Sequence, residues 1–125
     1  MSTPNKIKKL ERQRQVLIQR LLDTTAMIRG SFSTVYRKCG SVNCWCAEGV
    51  GHPVDRINFS DKGRSRTKAI PARDVDWAKE MASNYKRFRK NRQALRALEK
   101  NINLCVDELE AGVVDKTARQ RKYVT

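Results

Sequence analysis

The fold class is indicated most strongly by residues 74–110, DVDWAKEMASNYKRFRKNRQALRALEKNINLCVDELE. Counting by sevens places mainly apolar residues at two recurring positions, which together form a seam along one face of a helix. One seam position holds Met81, Phe88, Leu95, Ile102 and Leu109, and the other holds Trp77, Asn84, Asn91, Leu98 and Cys105. We therefore predict a long helix over 74–110 that ends before Gly112. A helix of this length needs a partner along its seam, because helical propensity alone does not hold it.

A second apolar stripe, nearer the N-terminus, predicts that partner. Asn5 is suited to cap a helix and Gly30 to end one, so we predict a helix over 5–29. Its seam positions hold Ile7, Leu10, Arg14, Leu17, Leu21, Thr24 and Ile28. These two patterns favour a mainly α fold, in which two long helices form a coiled-coil-like hairpin.

The segment between the helices, residues 30–71, predicts a small β module. Phe32–Lys38 alternates enough to form a short strand. Two further alternating runs, 54–59 and 64–70, flank Asp61-Lys62-Gly63, which is a good signal for a β-hairpin. We predict a single helical-hairpin domain over 1–112 that carries this module, followed by a basic C-terminal tail over 113–125.

Three cysteines and the only histidine of the chain lie within residues 39–52, CGSVNCWCAEGVGH. Cys3His is a ligand set of structural zinc, and four filled positions leave no open site for a substrate. The segment therefore predicts a structural Zn2+ site that stabilises the β module, with these ligands: Cys39, Cys44, Cys46 and His52. A disulfide or redox pair and a catalytic cysteine are the alternatives. Cys105, on the helix seam, is expected to be a small buried hydrophobe.

The charge of the chain is strongly basic and unevenly distributed. Lys and Arg number 27 against 13 Asp and Glu, which gives a net charge of +14. Residues 1–38 (9 basic, 2 acidic) and 71–104 (9 basic, 4 acidic) carry most of the excess. A basic protein inside a cell most often meets a polyanion, so we expect nucleic acid, either DNA or RNA, as a partner. No segment approaches the ~18 apolar residues of a membrane span, and a cytoplasmic location without membrane contact is expected.

Two groups of basic residues are predicted to contact phosphates. Arg64, Arg66 and Lys68 alternate onto one face of the hairpin, and Arg89, Arg92 and Arg96 recur at helical spacing. The predicted nucleic-acid-binding residues are Arg56, Lys62, Arg64, Arg66, Lys68, Lys86, Arg89, Arg92 and Arg96. A solvated helix face and an edge strand protected by charge are the alternative interpretations. Composition supports phosphate contact and not the reading of base sequence.

The central segment also resembles a known family. Arg29-Gly30-Ser31, Lys38-Cys39-Gly40, Cys44-Trp45-Cys46-Ala47 and Gly51-His52 are similar to motifs of small, uncharacterised bacterial and archaeal proteins that read K-C-G-x3-C-x-C-A and G-H. The resemblance covers about residues 29–100 and implies metal ligation by the three cysteines and His52. Members of that family are often encoded near insertion-sequence transposases, which implies an association with mobile elements.

These features together predict a non-enzymatic, zinc-stabilised nucleic-acid-binding protein, an accessory subunit of a mobile-element or nuclease complex. The chain has no paired-carboxylate cluster, phosphate loop or spare histidine that would indicate an enzyme. Two helices bury little apolar surface, so a homodimer or a larger protein partner is expected along the helix seam. The alternative function is a coiled-coil protein–protein adaptor that does not touch nucleic acid.

Overall fold

The computed structural model of the protein describes residues 1–124 and contains two α-helices and a three-stranded antiparallel sheet. In chain order the elements are α1 (Thr3–Asp23), β1 (Ser31–Arg37), β2 (His52–Asp61), β3 (Arg64–Ala69) and α2 (Val75–Ala118). Short 3-10 turns occupy Trp45–Ala47, Ala72–Asp74 and Lys122–Val124. Among the described helices, none has both the length and the apolar character that crossing a membrane requires.

The sheet has the strand order β1-β2-β3, with β2 in the centre. Arg37 pairs with His52 at one end of the β1–β2 ladder, and Asp61 pairs with Arg64 at the turn between β2 and β3. That turn consists of Lys62 and Gly63, whose φ angles are 51° and 79°. Two successive positive φ values are what a type I′ hairpin requires, so the hairpin expected around Asp61-Lys62-Gly63 is present.

A cluster of buried apolar residues lies between the sheet and the first turns of α2. Ile57, in the centre of β2, packs with Ala78 and Ala82 of the helix. Partly buried side chains surround this cluster: Ile28, Phe32, Phe59 and Ile70. The two alanines have small side chains, which lets the helix backbone approach the sheet closely.

The predicted coiled-coil-like hairpin is wrong. The cluster just described joins a sheet to a helix, and α1 contains no buried residue. The short strand predicted over Phe32–Lys38 is present as β1, which pairs along β2 and makes the inserted module a three-stranded sheet. At ~1.5 Å per residue, α1 is about 32 Å long and α2 about 66 Å, so the helices differ twofold in length. Heptad spacing shows which helix face is least exposed, but it does not show whether a helix or a sheet covers that face.

The bounds of α1 differ from the prediction at both ends. The helix begins at Thr3, where the Ser2 hydroxyl accepts a hydrogen bond from the Asn5 amide at 3.3 Å, and it ends at Asp23 rather than at residue 29. Ile28 is therefore outside the helix and packs against the sheet–helix cluster. Its N–H donates to the carbonyl of Met81 at 3.2 Å. This packing requires the chain to leave the helix before Ile28.

The bounds of α2 also need correction. The predicted seam residue Trp77 is 57% exposed, whereas its neighbour Ala78 is fully buried against the sheet. From Met81 onward, the seam residues are the less exposed ones, so the predicted register holds only beyond the sheet contact. Gly112 does not end the helix, which continues to Ala118 through the first part of the predicted tail. The last tail residue, Thr125, lies outside the described residues.

The chain forms two compact units, and α2 contributes to both. The sheet unit comprises Thr24–Phe88 and contains all three strands with the cluster around Ile57. The helical unit comprises Met1–Asp23 and the chain from Arg89 onward. Within the helical unit, Leu98 is buried, and the Arg14 Nε atom lies 3.5 Å from the Glu99 Oε1 atom.

Candidate metal centre

The predicted metal ligands lie at one end of the sheet, where β1 is connected to β2. The connection, residues 38–51, is called the metal loop below; it contains the turn Trp45–Ala47. Because Arg37 and His52 pair across the ladder, the loop starts and ends at neighbouring positions. This brings Cys39, at the start of the loop, close to His52, the first residue of β2.

Gly51 allows the loop to close tightly against β1. Its φ angle is +104°, which side-chain-bearing residues rarely adopt. A Cβ atom at this position would lie 2.5 Å from the carbonyl carbon of Arg37 and 2.8 Å from the amide nitrogen of Lys38. Only glycine permits this approach of two backbones, and His52 follows it directly. The Lys38 ammonium also donates to the carbonyl oxygen of Ala47 at 3.1 Å, across the loop.

The structure brings all four predicted ligands together. One ligand atom from each of Cys39, Cys44, Cys46 and His52 lies within 4.8 Å of the others. The Sγ atoms of Cys39 and Cys46 are 3.5 Å apart, and the Sγ atom of Cys44 is 3.1 Å from Nε2 of His52. Cys46 is fully buried, while Cys39 is exposed and Cys44 is intermediate.

These distances suit a tetrahedral metal ion. Zinc–sulfur bonds of about 2.3 Å place two thiolates of a tetrahedron about 3.8 Å apart. The separation of the Cys39 and Cys46 sulfurs is within a few tenths of an ångström of that value. The N–H of Cys39 also donates to the Sγ atom of Cys46 at 3.4 Å, the kind of hydrogen bond that supports a metal-bound thiolate. The residues therefore fit a metal ion by both geometry and donor chemistry.

The pKa of Cys39 favours the form that binds metal, whereas the pKa of His52 is shifted toward the form that does not. The pKa of Cys39 is lowered to about 6 by a hydrogen bond from the Ser41 backbone, with further help from Cys46, His52 and Cys44. A thiolate therefore predominates at Cys39 at neutral pH. The pKa of His52 is raised by its hydrogen bonds with Cys44 and then Cys39, because these sulfurs stabilise the imidazolium.

Cys44 and Cys46 differ in their environments. A hydrogen bond from the Cys46 backbone, followed by the Cys46 side chain, lowers the pKa of the Cys44 thiol. The Cys39 amide also acts to lower the pKa of Cys46, but burial and the neighbouring sulfurs outweigh it and raise that pKa. A buried thiol surrounded by other sulfurs loses its proton most readily to a metal ion, whose charge compensates the thiolate.

A disulfide fits the geometry of the cluster less well than a metal site does. All four cysteines of the chain are free, and the 3.5 Å between the Cys39 and Cys46 sulfurs is well beyond the ~2.05 Å of a disulfide bond. Cys44 and His52 lie within hydrogen-bond distance, as a catalytic cysteine and its base would, but His52 is the one histidine of the chain and cannot be a free base while it binds a metal ion. Cys105 lies on α2 with intermediate exposure and is not a member of the cluster.

The predicted nucleic-acid-binding residues lie on several elements. On α2, Lys86, Arg89, Arg92 and Arg96 are exposed. Lys62 occupies the β2–β3 turn, and Arg56, on β2, is only partly exposed and donates from its Nε to the Ser33 hydroxyl at 3.4 Å.

The basic residues of β3 lie on the helix-covered face of the sheet. Arg64, Arg66 and Lys68 pair with Asp61, Phe59 and Ile57, and paired residues project from the same face. This is the face against which α2 packs, although every residue of β3 is exposed. Arg66 forms an ion pair with Asp61, at 3.2 Å. The alternation of these three residues was predictable, but the face on which they lie was not.

Trp45 was not predicted from the sequence to belong to the site. This side chain is 65% exposed, and its ring contacts the ring of His52 edge-on, with centroids 4.8 Å apart and an angle of 69° between the ring planes. A signal was present, because Trp45 stands between two candidate ligands, Cys44 and Cys46. A residue between two ligands is held in place when both bind the same ion.

The fold and the site define a class: a helical protein with a three-stranded sheet inserted between its helices and a Cys3His cluster at one end of the sheet. Residues 7–80 match a protein family described as a domain of unknown function, DUF6788. The chain belongs to this family, and the match includes most of α1, the whole sheet and all four residues of the cluster. No curated protein and no solved structure matches the chain.

Proposed function

We propose that this protein binds nucleic acid, that it has no enzymatic step of its own, and that a structural zinc ion stabilises its β module. The observation that carries the nucleic-acid proposal is the exposure of the edge strand β3. All six residues of β3 are exposed, and three of them are basic: Arg64, Arg66 and Lys68. Folding places this charge in solvent at a sheet edge, where phosphate oxygens can reach it.

The basic row on α2 supports the same proposal. Arg92 and Arg96 are exposed and lie one turn apart, so both can follow one strand of a phosphate backbone. The net charge of +14 adds a long-range attraction for a polyanion. Binding of this kind depends on phosphates and is largely independent of base sequence.

Zinc is the metal that the donor set favours. Three thiolates and one imidazole are soft or borderline ligands, which suit zinc and exclude magnesium or calcium. Four protein ligands fill a tetrahedron, so the ion would have a structural role and would hold the ends of β1 and β2 together. Elemental analysis should find about one zinc per chain, and removal of Cys46 should abolish it.

Protein contact is a second proposed property, and the helical unit favours it. Large apolar side chains on its helices are exposed: Val16, Leu22, Leu104, Val113 and Val114. A second copy of the chain or another protein would cover such residues. We accordingly propose a homodimer or an accessory subunit, and the resemblance to proteins encoded near transposases suggests a mobile-element or nuclease complex. If the chain is purely an adaptor, it will bind such a partner and show no affinity for nucleic acid.

A salt titration of binding tests the nucleic-acid proposal. Wild-type protein and the double variant R64E/K68E are titrated into fluorescent single-stranded and duplex oligonucleotides at several salt concentrations. Each lost phosphate contact should reduce the slope of log K against log salt by about 0.7 for a single strand and about 0.9 for a duplex.

The matched control for that titration is K8E/K9E, which changes the net charge equally at two exposed residues of α1. It should retain the wild-type salt slope, because neither lysine belongs to the proposed surface. Absence of salt-dependent binding by the wild type, or equal loss in both double variants, contradicts the proposal.

A further inference from the structure

The two faces of the sheet differ sharply in composition. The face packed on α2 holds Ile57 and Phe59, both carboxylates of β2 (Asp55 and Asp61) and the basic residues of β3, so charges of both signs lie on it. The opposite face, called the polar face below, consists of the strand residues that alternate with Ile57. It carries Arg37 and Arg56 and no Asp or Glu, and none of its residues is buried. The charge of the polar face therefore complements an anion.

A hydrogen-bonded row crosses the polar face from β3 to β1. The Thr67 hydroxyl donates to Oδ1 of Asn58, and Nδ2 of Asn58 donates to the Ser33 hydroxyl oxygen, both at 2.9 Å. Arg56 donates from Nε to the same oxygen of Ser33 at 3.4 Å. Within residues 1–124, this is the one side-chain hydrogen bond of Arg56, so both terminal nitrogens remain available for phosphate oxygens. The row thus holds the Arg56 side chain in place on an open surface.

Trp45 stands at the end of the polar face. His52 pairs with Arg37, so both side chains project from this face. The exposed Trp45 ring packs edge-on against His52, the strand partner of Arg37. From Asn58 to His52 the strand spans about 20 Å at ~3.3 Å per residue. The face therefore offers an aromatic ring and Arg37 at one end, then the apolar pair Val35–Val54, and beyond it Arg56 with hydroxyl and amide groups.

We propose that the polar face binds single-stranded nucleic acid, with an unpaired base stacked on Trp45 and the phosphates bound by Arg37 and Arg56. The inference rests on the proposed nucleic-acid function and adds the form of nucleic acid and the surface. Aromatic side chains stack on bases of any sequence, but the bases of a duplex already stack on one another. The Trp45 ring belongs to the metal loop, whose one carboxylate is Glu48, and the positive charge comes from the strands. A single strand is the occupant that uses both features.

Affinity measurements with matched tryptophan variants test the stacking. W45A, W45F and W77A are compared with wild-type protein for binding to an unstructured oligothymidylate and to a duplex of equal length. Trp77 is the control, because it is 57% exposed on α2, outside the polar face. We expect W45A to weaken single-strand binding roughly 5- to 150-fold, W45F to restore most of it and W77A to leave it unchanged. Zinc content and circular dichroism verify that each variant is folded.

Fluorescence gives a second readout that does not depend on affinity. Trp45 and Trp77 are the two tryptophans of the chain, so W77F leaves Trp45 as the single indole emitter. Stacking of a base should quench this emission on addition of oligothymidylate, and the quench should saturate with the binding curve. The variant R56A should lower the affinity while the quench at saturation stays the same.

The possible outcomes separate this inference from the proposed function. If W45A and R56A bind single strands as the wild type does while R64E/K68E does not, the polar-face inference is wrong and nucleic-acid binding stands. Equal affinity for duplex and single strand, or equal losses in W45A and W77A, also overturns the inference. If no nucleic acid binds and W45A instead abolishes self-association in sedimentation, both proposals fail and the ring belongs to a protein interface.

Discussion

Replacement of Gly51 by alanine should separate the metal loop from β1. The new Cβ would lie 2.5 Å from the carbonyl carbon of Arg37 and 2.7 Å from its oxygen, which are backbone atoms with little freedom to move. The substitution also puts a side chain on a residue with φ of +104°. Since Arg37 pairs with His52, relief of the clash must displace the histidine from the three cysteines.

Gly40→Ala is the matched control, because Gly40 also has a positive φ, +85°, in the same loop, but its Cβ would meet no atom within 4 Å. Left-handed strain costs about 1–3 kcal/mol in either variant. The clash at Gly51 adds a steric cost comparable to overpacking, about 1–3 kcal/mol. Gly51→Ala should therefore lower the free energy of unfolding by about 2–6 kcal/mol, and Gly40→Ala by about 1–3 kcal/mol.

Two assays measure this difference. Denaturant unfolding at saturating zinc gives the stability of both variants, and competition with a chromophoric chelator gives their zinc affinities. The steric part alone should weaken zinc binding by Gly51→Ala about 5- to 150-fold relative to Gly40→Ala. Equal stability and equal zinc affinity in the two variants would refute the view that close backbone approach at Gly51 positions His52.

Three further predictions concern the core, the long helix and the metal site. Ile57→Ala should lower the free energy of unfolding by about 2–5 kcal/mol, because it opens a cavity against Ala78 and Ala82; unchanged stability in denaturant contradicts the assigned core. Gly112→Ala should raise the free energy of unfolding by about 0.5–1 kcal/mol, because this residue is inside α2 with open space around it. If Gly112 ended the helix, the same substitution would instead lower the free energy of unfolding. Zinc affinity should fall as pH decreases below 7, and more steeply below about 6, where Cys39 becomes protonated. The raised pKa of His52 acts in the same direction, because its imidazolium persists to higher pH and cannot ligate metal. A zinc affinity that stays constant from pH 7.5 to 5.5 in chelator competition contradicts this prediction.

The sequence was informative where a local pattern determines the structure. Asp61-Lys62-Gly63 predicted the hairpin turn, because a two-residue turn needs residues that tolerate positive φ. The cysteines and His52 could be grouped because ligand chemistry and short spacing suffice to nominate them. The seam of α2 from Met81 to Leu109 could also be predicted, because heptad spacing indicates the less exposed face of a helix.

The sequence was misleading where the partner of an element lies far along the chain. Gly30 was interpreted as a helix stop, but a Cβ there would lie 2.7 Å from the Asn58 carbonyl oxygen, so glycine is required by contact with β2. Ile28 matched the helix seam, yet it packs with the sheet. Both residues are explained by β2, which follows them by about thirty positions, and no periodicity within the first helix contains that information.

The structure also changes the interpretation of the net charge. The value of +14 counts every thiol as neutral, and binding of one Zn2+ by three thiolates would make it +13, so a loaded metal site would carry one negative charge. The metal loop cannot then be the source of attraction for phosphates. The exposed ring of Trp45 packs against His52 of this site, whereas Arg37 and Arg56 provide positive charge on the adjacent strands. Because β2 directs both of its carboxylates to the helix-covered face, no acidic group of the sheet opposes an anion on the polar face. Strand alternation thus leaves only positive charge on the polar face, whereas the helix-covered face carries both carboxylates of β2 and the basic residues of β3.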